Sequence, residues 1–199
     1  MNENGNVTTV LLCGVGGQGT ILAADLLAQV ALASGCDVKV SEIHGMAQRG
    51  GAVTTVVRFG DAVRSMVCDE GCADYVVAFE LIEALRNLPF KAAGGTLIAS
   101  DEVIEPMAVA AGKAALPPNL HQTLEAAGAF LVPADALARE AGNAKASNVA
   151  LLGALSAFLG FPMEAWQQAI EGRVPPRTVE VNLKALEAGR SVIAAAEGR

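Results

Sequence analysis

The chain has 199 residues, which is the size of one domain. Hydrophobic residues make up 52% of it and aromatic residues only 4%, which predicts a core packed from Ala, Val and Leu, as in layered α/β proteins. The formal net charge is −7 and the sequence has no long Lys/Arg run. This balance excludes nucleic-acid binding as a main function, because neutralising phosphates requires a basic surface.

We expect neither a targeting segment nor a membrane segment. Residues 1–5 are polar and lack the charged and then apolar pattern of a signal peptide. The apolar runs are interrupted by Gly, Ser, Asp or Gln before they reach the roughly 18 residues that a membrane helix needs. The sequence therefore predicts a cytoplasmic protein that binds no membrane.

The four cysteines do not have the spacing of a metal site. Cys13 and Cys36 lie in or next to predicted strands and are expected to be buried thiols. Cys68 and Cys72 form the only close pair, and their C-x₃-C spacing differs from that of zinc ribbons and iron–sulfur motifs. We expect this chain to hold no metal of its own.

The first predicted unit is a strand, a glycine-rich turn and a helix. Residues 7–13 are short, β-branched and apolar, and residues 20–33 form an Ala/Leu-rich helix that ends at Ser34-Gly35. Between them, Gly-x-Gly-x-x-Gly is the fingerprint that opens a nucleotide-binding helix. Such a turn directs backbone N–H groups at a phosphate or carboxylate. The predicted binding residues of the turn are Gly14, Gly16, Gly17, Gln18 and Gly19.

Residues 37–42 are predicted to form the second strand, because Val38 and Val40 alternate with polar residues. Glu42 stands near the end of this strand, where dinucleotide folds place an acidic residue on the ribose hydroxyls. It lies farther from the turn than is usual. The sequence leaves two interpretations open, a ribose ligand and a solvated or structurally paired carboxylate.

The following segment, residues 43–51, fits neither strand nor helix periodicity. It is rich in glycine and hydrogen-bonding groups and follows a strand, and open α/β sheets bind ligands at the carboxyl ends of their strands. An arginine there can clamp a carboxylate or phosphate, while a histidine can orient or transfer a proton. The alternative is a structural loop whose side chains bind backbone carbonyls or a subunit interface. The predicted binding residues of this loop are His44, Gly45, Gln48, Arg49, Gly50 and Gly51.

The rest of the chain alternates strands and helices before it becomes helical. We predict a β-hairpin from strands 52–59 and 63–67 around a turn at Gly60-Asp61. Further strands are predicted at 74–80, 96–100 and 129–132, with a connector over 101–124 that contains short helix. Helices are predicted at 81–88, 133–141, 143–159, 162–172 and 177–196. Glu80 precedes the first of these helices, either as a site residue or as its N-terminal cap.

These elements predict one α/β domain over residues 1–199. Its fold class is Rossmann-like, with a mostly parallel sheet, an inserted β-hairpin and a helical C-terminal part over residues 143–199.

Taken together, the motifs resemble the γ-type domain of 2-oxoacid:ferredoxin oxidoreductases, in particular the small (β) subunit type of the indolepyruvate enzymes. The resemblance rests on Gly-Val-Gly-Gly-Gln-Gly at 14–19 and on Val-Ser-Glu-Ile-His-Gly-Met-Ala-Gln-Arg-Gly-Gly at 40–51. The strand at 74–80 with Glu-Ala-Leu-Arg at 83–86, and Asn-Val-Ala-Leu-Leu-Gly-Ala-Leu at 148–155, also match. The extended loop is far more specific than the glycine turn alone.

The resemblance implies oxidative decarboxylation of a 2-oxoacid, with indolepyruvate or another aryl pyruvate favoured, to an acyl-coenzyme A. Enzymes of this family use thiamine diphosphate, magnesium, iron–sulfur clusters and ferredoxin, and the thiamine cofactor supplies the carbanion chemistry. In the indolepyruvate enzymes the thiamine and cluster sites belong to a large subunit. The resemblance therefore implies that this chain binds none of these cofactors alone, carries no catalytic residue that we can assign, and is inactive without its partner. Coenzyme A is the co-substrate, and ferredoxin accepts the electrons of the complex.

Two other functions remain open from the sequence. A stand-alone NAD(P)- or FAD-binding oxidoreductase would use the glycine turn but would leave the loop at 44–51 unexplained. A non-catalytic scaffold or regulatory subunit would use the turn for structure alone. We expect the turn and the loop to lie side by side at one edge of the sheet, facing the partner subunit.

Overall fold

A computed structural model of the chain describes residues 7–45 and 51–197. Its strands form one six-stranded sheet in the order β2-β3-β1-β4-β5-β6. The strands are β1 (Val7–Val15), β2 (Asp37–His44), β3 (Ala52–Gly60), β4 (Ala73–Ala78), β5 (Lys91–Ser100) and β6 (Ala129–Val132). Strands β1, β4, β5 and β6 are parallel neighbours, whereas β3 runs antiparallel to both β1 and β2. The prediction of a mostly parallel sheet is confirmed.

Helices pack on both faces of this sheet and complete an α/β fold. The α-helices are α1 (Thr20–Ala33), α2 (Leu81–Asn87), α3 (Met107–Ala110), α4 (Leu120–Ala126), α5 (Ala134–Ala141), α6 (Ser147–Ser156), α7 (Met163–Arg173) and α8 (Val179–Glu197). Short 3₁₀ helices lie at Leu88–Phe90, Ala144–Ala146 and Pro176–Thr178. The helical C-terminal part is therefore present as predicted. The connector does contain short helices, α3 and α4.

The sheet separates two hydrophobic cores, because successive residues of a strand point to opposite faces. On the first face, Val10 and Leu12 of β1 pack with α1, α5, α6, α7 and α8. On the second face, Leu11 and Cys13 of β1 pack with the shorter helices α2 and α4. The central strand β1 is buried on both sides, as its continuous apolar sequence predicts.

Strand β3 forms a hairpin, but its partner in that hairpin is β2 and not residues 63–67. Strand β3 pairs with β2, with Asp37 opposite Gly60 and His44 opposite Val53, whereas residues 63–67 lie outside the sheet. The prediction of a hairpin between 52–59 and 63–67 was therefore wrong. Both edges of β3 are already occupied, by β1 and by β2, so no edge remains for residues 63–67 to join. The segment is instead tied down by side chains, with the Arg58 guanidinium donating to the Ser65 carbonyl at 2.7 Å.

The two helices α6 and α8 pack closely at a crossing built from glycine. A Cβ atom at Gly189 of α8 would lie 1.8 Å from the Ala150 carbonyl oxygen. A Cβ atom at Gly153 of α6 would lie 2.0 Å from the Leu186 carbonyl oxygen. Each helix thus presents a glycine to the backbone of the other, and α6 lies against the first face of the sheet.

Candidate functional site at the carboxyl edge of the sheet

The glycine turn and the loop after β2 lie next to each other at one edge of the sheet. Strand β1 ends there, and so does β2, which runs in the same direction as β1 although β3 separates them. The Gly16 amide donates a hydrogen bond to the Gly51 carbonyl oxygen at 2.9 Å. The last residue of the loop is therefore bonded directly to the turn. The structure thus brings together the two motifs that the sequence singled out.

The loop connects strands β2 and β3, and a backbone hydrogen bond joins the two ends of this connection. The Gly45 amide donates to the Ala52 carbonyl oxygen at 3.2 Å. His44 is the last residue of β2, its side chain is exposed, and its Nδ1 lies 3.1 Å from the Gly45 carbonyl oxygen. The predicted binding residues Gln48, Arg49 and Gly50 fall outside the described residues.

The glycines of the turn meet different steric demands. Gly14 is buried, and a Cβ atom there would lie 2.9 Å from the Phe79 Cβ. Gly19 has φ +80°, which favours glycine, and a Cβ atom there would lie 2.5 Å from the Asn148 Nδ2. Gly17 has φ +105°, is exposed and has open space where a side chain would stand. Gly17 is therefore the glycine of the turn that presents its backbone outward.

Gln18 fastens the turn to the sheet through its side-chain amide. Its Oε1 accepts a hydrogen bond from the Val15 amide at 2.8 Å, and its Nε2 donates to the Phe79 carbonyl oxygen at 2.8 Å. Phe79 directly follows β4, so the amide connects the carboxyl ends of the neighbouring strands β1 and β4. Both ends of the amide are engaged by backbone, which makes Gln18 a residue that holds the turn in shape.

Asn148 is a residue of the site that the sequence analysis did not single out as functional. It is buried near the start of α6, and its Nδ2 donates to the Gly19 carbonyl oxygen at 3.2 Å. Helix α6 is otherwise almost entirely apolar, and one buried amide near the start of such a helix is the signal that marks this contact. Asn148 thereby joins the C-terminal helices to the glycine turn.

Glu80 caps helix α2, which confirms the capping interpretation. Its carboxylate accepts hydrogen bonds from the Ile82 amide, at 3.0 Å, and from the Glu83 amide. The carboxyl group is buried, and burial raises its pKa above the ordinary value, although the backbone donors partly offset this rise. The thiol of Cys13 lies nearby and is also buried. Its pKa is raised well above the ordinary value by burial and by the charges of Glu83 and Glu80.

A cleft of about 300 Å³ lies at the same edge, between the start of β3, helix α2 and residues 104–107. Its lining includes Val15 at the end of β1, Ala52 at the start of β3 and the acidic residues Glu80, Glu83 and Glu105. The Arg86 Nε, also in this lining, lies 2.9 Å from the Glu83 carboxylate, with the Arg86 side chain largely exposed and Glu83 buried. The cleft therefore combines apolar residues, acidic residues and one exposed guanidinium near the end of β1, where the glycine turn begins.

The sheet order weighs against Glu42 as a ribose ligand. In a dinucleotide-binding sheet, the strand that carries this acidic residue lies beside the strand of the glycine turn. Here β3 lies between β1 and β2, so β2 stands about 10 Å from β1 at ordinary strand spacing. Glu42 is exposed on this edge strand, opposite Thr55. The solvated interpretation of Glu42 is the one that fits this geometry.

Within the described part of the chain, no group of three or more His, Cys, Asp or Glu side chains converges as a metal site would require. Over the same residues, no helix is both long enough and apolar enough to span a membrane.

Comparisons with known proteins agree with the fold and with these motifs. The family described as pyruvate ferredoxin/flavodoxin oxidoreductase matches residues 9–192. Indolepyruvate oxidoreductase subunit IorB of Thermococcus kodakarensis is 41% identical over 187 residues, which cover 90% of this chain and 93% of that protein. The same subunit of Pyrococcus horikoshii is 42% identical, with the same coverage.

Solved structures give the same picture. The gamma subunit of a keto/oxoacid ferredoxin oxidoreductase from Geobacter sulfurreducens superposes with a TM-score of 0.71 at 26% identity, covering 94% of this chain and 99% of that one. The chain therefore belongs to the pyruvate ferredoxin/flavodoxin oxidoreductase family, as a small subunit of a 2-oxoacid:ferredoxin oxidoreductase.

Proposed function

We propose that the chain is the small subunit of a thiamine-diphosphate-dependent enzyme that oxidises indolepyruvate or a related aryl pyruvate to its acyl-coenzyme A in the cytoplasm. A larger partner subunit carries the thiamine diphosphate, magnesium and iron–sulfur clusters, and ferredoxin takes up the electrons. The carboxyl edge of the sheet, where the turn at 14–19 lies beside His44, Gly45 and Gly51, faces that partner. The relatives named indolepyruvate oxidoreductase subunit IorB, which align with about nine-tenths of this chain, support the choice of substrate.

The observation that carries the proposal is the hydrogen bond from the Gly16 amide to the Gly51 carbonyl oxygen, 2.9 Å long. It unites the two glycine-rich motifs into one surface, although 35 positions separate the two residues in the sequence. The surface offers an outward-facing backbone at Gly17 and an exposed imidazole at His44. Such groups suit the recognition of a partner's main chain or of a bound co-substrate.

The donor set of the described residues does not fit an iron–sulfur cluster. Clusters need several cysteine thiolates around one point. Here Cys68 and Cys72 lie close only to each other, Cys13 is enclosed in the second core, and no group of three or more His, Cys, Asp or Glu side chains converges among the described residues. We therefore assign the clusters, and electron transfer through them, to the partner.

When bound to the partner, thiamine diphosphate supplies the carbanion chemistry of decarboxylation. The role of this chain is then to position the reacting groups at the partner's active site and to enclose that site. Gln18 and Asn148 fasten the glycine turn to the end of β4 and to helix α6, so the turn is held in place by this chain's own residues. Arg49 provides a charged donor for a carboxylate or phosphate of the partner or of coenzyme A.

The proposal is tested on the complex of this chain with a co-expressed large subunit. We expect Arg49→Ala to lower indolepyruvate- and coenzyme-A-dependent reduction of ferredoxin by about tenfold or more, because losing a charge-assisted hydrogen bond costs about 1.5–3 kcal/mol. The isolated variant should keep the wild-type circular dichroism spectrum and melting temperature. Arg177→Ala is the matched control, since Arg177 is exposed in the 3₁₀ turn before α8, and it should leave the activity unchanged.

Co-purification separates assembly from catalysis in the same set of variants. Loss of the large subunit from Arg49→Ala preparations assigns the loop to the interface, whereas an intact but slow complex assigns it to the approach to the active site. Normal assembly together with wild-type turnover would contradict the proposed role of this edge. It would favour the scaffold alternative.

A further inference from the structure

Cys68 and Cys72 form a disulfide bond in the irregular segment between β3 and β4. Their Cα atoms lie 5.7 Å apart, which is an ordinary separation for such a bond. Both residues are partly accessible rather than enclosed in a core. The other two cysteines are free thiols, with Cys13 fully buried and Cys36 half-buried.

This bond is too local to stabilise the fold as a whole. A disulfide stabilises a protein mainly by restricting the unfolded chain, and the restriction grows with the length of the loop that it closes. This one closes only residues 68–72. Its effect must therefore be sought in the conformation of its own segment.

The segment is anchored by hydrogen bonds ahead of the disulfide and within its loop. Ahead of it, the Arg58 guanidinium donates to the Val67 carbonyl oxygen at 3.2 Å. Within the disulfide loop, the Cys72 amide donates to the Asp69 carbonyl oxygen at 3.1 Å, and the Gly71 amide donates to the Pro89 carbonyl oxygen at 2.9 Å. Breaking the disulfide removes the covalent restraint on this loop and leaves these hydrogen bonds and the packing of Cys68 against the second core.

The same segment forms one wall of an apolar groove of about 450 Å³ on the second face of the sheet. Its lining includes Leu11, Ile43, Val56, Val67, Cys68 and Phe90. Val67 is 67% exposed and Ile43 is 69% exposed, which is unusual for side chains of this size. Val67 directly precedes Cys68, so a movement of residues 66–68 would change the lining of this groove.

We propose that Cys68 and Cys72 are a reversible thiol–disulfide couple that exchanges with low-molecular-weight thiols and controls the conformation of residues 66–72. In reduction, the thiolate of one small thiol attacks either sulfur and forms a mixed disulfide. The other protein sulfur leaves as a thiolate and takes up a proton. A second small thiolate then attacks the small-molecule sulfur of the mixed disulfide and releases the remaining protein thiolate, which leaves two protein thiols and one small-molecule disulfide. In oxidation, a small-molecule disulfide runs the same exchange backwards. Cytoplasmic disulfides are usually transient ones that sense or transfer redox equivalents, which fits this accessible pair in a protein that we place there.

The other two cysteines make the experiment internally controlled. The purified chain is equilibrated with oxidised or reduced glutathione and labelled under native conditions with a maleimide, and each cysteine is read by peptide mass spectrometry. We expect Cys68 and Cys72 to label in the reducing buffer and to be protected in the oxidising one. Cys36 should be labelled in the reducing buffer and either labelled or joined to one glutathione in the oxidising buffer, and its peptide mass distinguishes these products from the internal Cys68–Cys72 bond, so it serves as the reference for accessibility. Cys13 should label in neither, because it becomes accessible only when the core opens.

Hydrogen exchange then measures the conformational part of the proposal. We expect amide exchange in residues 66–72 to be about tenfold faster or more in the reduced form, since local opening controls exchange, with α1 unchanged. The Cys68→Ser/Cys72→Ser variant should show the fast rate in both buffers. The proposal is overturned if Cys68 and Cys72 are labelled equally in both buffers, or if they are labelled only under conditions that also label Cys13. It is also overturned if the amide exchange rate of residues 66–72 is the same in the oxidised and reduced forms.

Discussion

From the close crossing of α6 and α8 we predict how much a substitution at Gly189 lowers the free energy of unfolding. In Gly189→Ala, the new Cβ atom would stand 1.8 Å from the Ala150 carbonyl oxygen, and ordinary contact begins at 3.4 Å, so the two groups overlap by 1.6 Å. The carbonyl carbon of Ala150 is itself only 2.7 Å away. The obstacle is backbone, so no side-chain rotation can relieve it. The helices must move apart.

The size of the effect follows from what that separation removes. Helix α6 is buried from Asn148 to Ser156. A gap of about 0.5–1 Å already forfeits roughly a quarter to a half of the dispersion energy of a contact. Overpacking of a core costs about 1–3 kcal/mol, and a shift this large places the cost at the upper end. Alanine recovers up to about 1 kcal/mol through its helix propensity. We expect a net loss of about 2 kcal/mol, and a fall in melting temperature of about 4–8 °C.

Urea and thermal unfolding of the purified chain measure this loss, with Gly172→Ala as the control. Gly172 lies in helix α7, and a Cβ atom there would meet no other atom within 4 Å, so its substitution should raise stability by up to about 1 kcal/mol. The two variants make the same chemical change, and we expect opposite signs. Equal or greater stability of Gly189→Ala than of the wild-type chain would refute the close packing on which the prediction rests.

Two further predictions concern the carboxyl edge of the sheet. Gln18→Leu removes the acceptor of the Val15 amide and the donor to the Phe79 carbonyl oxygen. We expect the free energy of unfolding, measured by urea titration, to fall by about 1–3 kcal/mol. An unchanged urea midpoint would contradict the role of Gln18 in holding the turn. Burial raises the pKa of Glu80 above the ordinary value of 4.5, so the folded state binds this proton more tightly than the unfolded state does. As the pH falls through the raised pKa toward 4.5, protonation of Glu80 therefore increases the free energy of unfolding. The stability difference between wild type and Glu80→Gln should therefore shift in favour of wild type over that range, and parallel pH profiles would contradict it.

The sequence predicted local structure better than it predicted partners. Residues 7–13 carry the β-branched apolar pattern of a buried strand, and β1 does form there, extended by two residues to Val15. The β-rich run at 63–67 has the same local preference, but strand pairing is a non-local property. Both edges of β3 are paired, with β1 on one side and β2 on the other, so residues 63–67 cannot join it. The sequence pattern could not show that residues 37–44 would form the strand that pairs with β3.

The candidate site shows the same contrast between local structure, which the sequence predicted, and long-range contacts, which it did not. The glycine pattern predicted a tight turn that opens α1, and Gly17 and Gly19 do adopt positive φ values. The contacts that fix the turn come from far along the chain, however. Gln18 binds a residue 61 positions away, and Asn148 reaches Gly19 across 129 positions. Only the folded chain brings Phe79 and Asn148 to the turn, so no local motif could have assigned these two contacts.

The place of β3 in the sheet also changes what the glycine turn can bind. In a dinucleotide site the backbone N–H groups of the turn face the diphosphate, and an acidic residue on the adjacent strand holds the ribose. Here the Gly16 amide donates to the Gly51 carbonyl oxygen. Of the two strands beside β1, β3 runs antiparallel, and β4 is followed by Glu80, whose carboxylate already caps helix α2. A diphosphate would have to displace a protein oxygen, and a ribose would have to compete with the α2 amides for Glu80. We therefore expect calorimetric titration of the purified chain with NAD(H) or FAD to show no micromolar binding, and saturable binding in that range would refute this account of the turn.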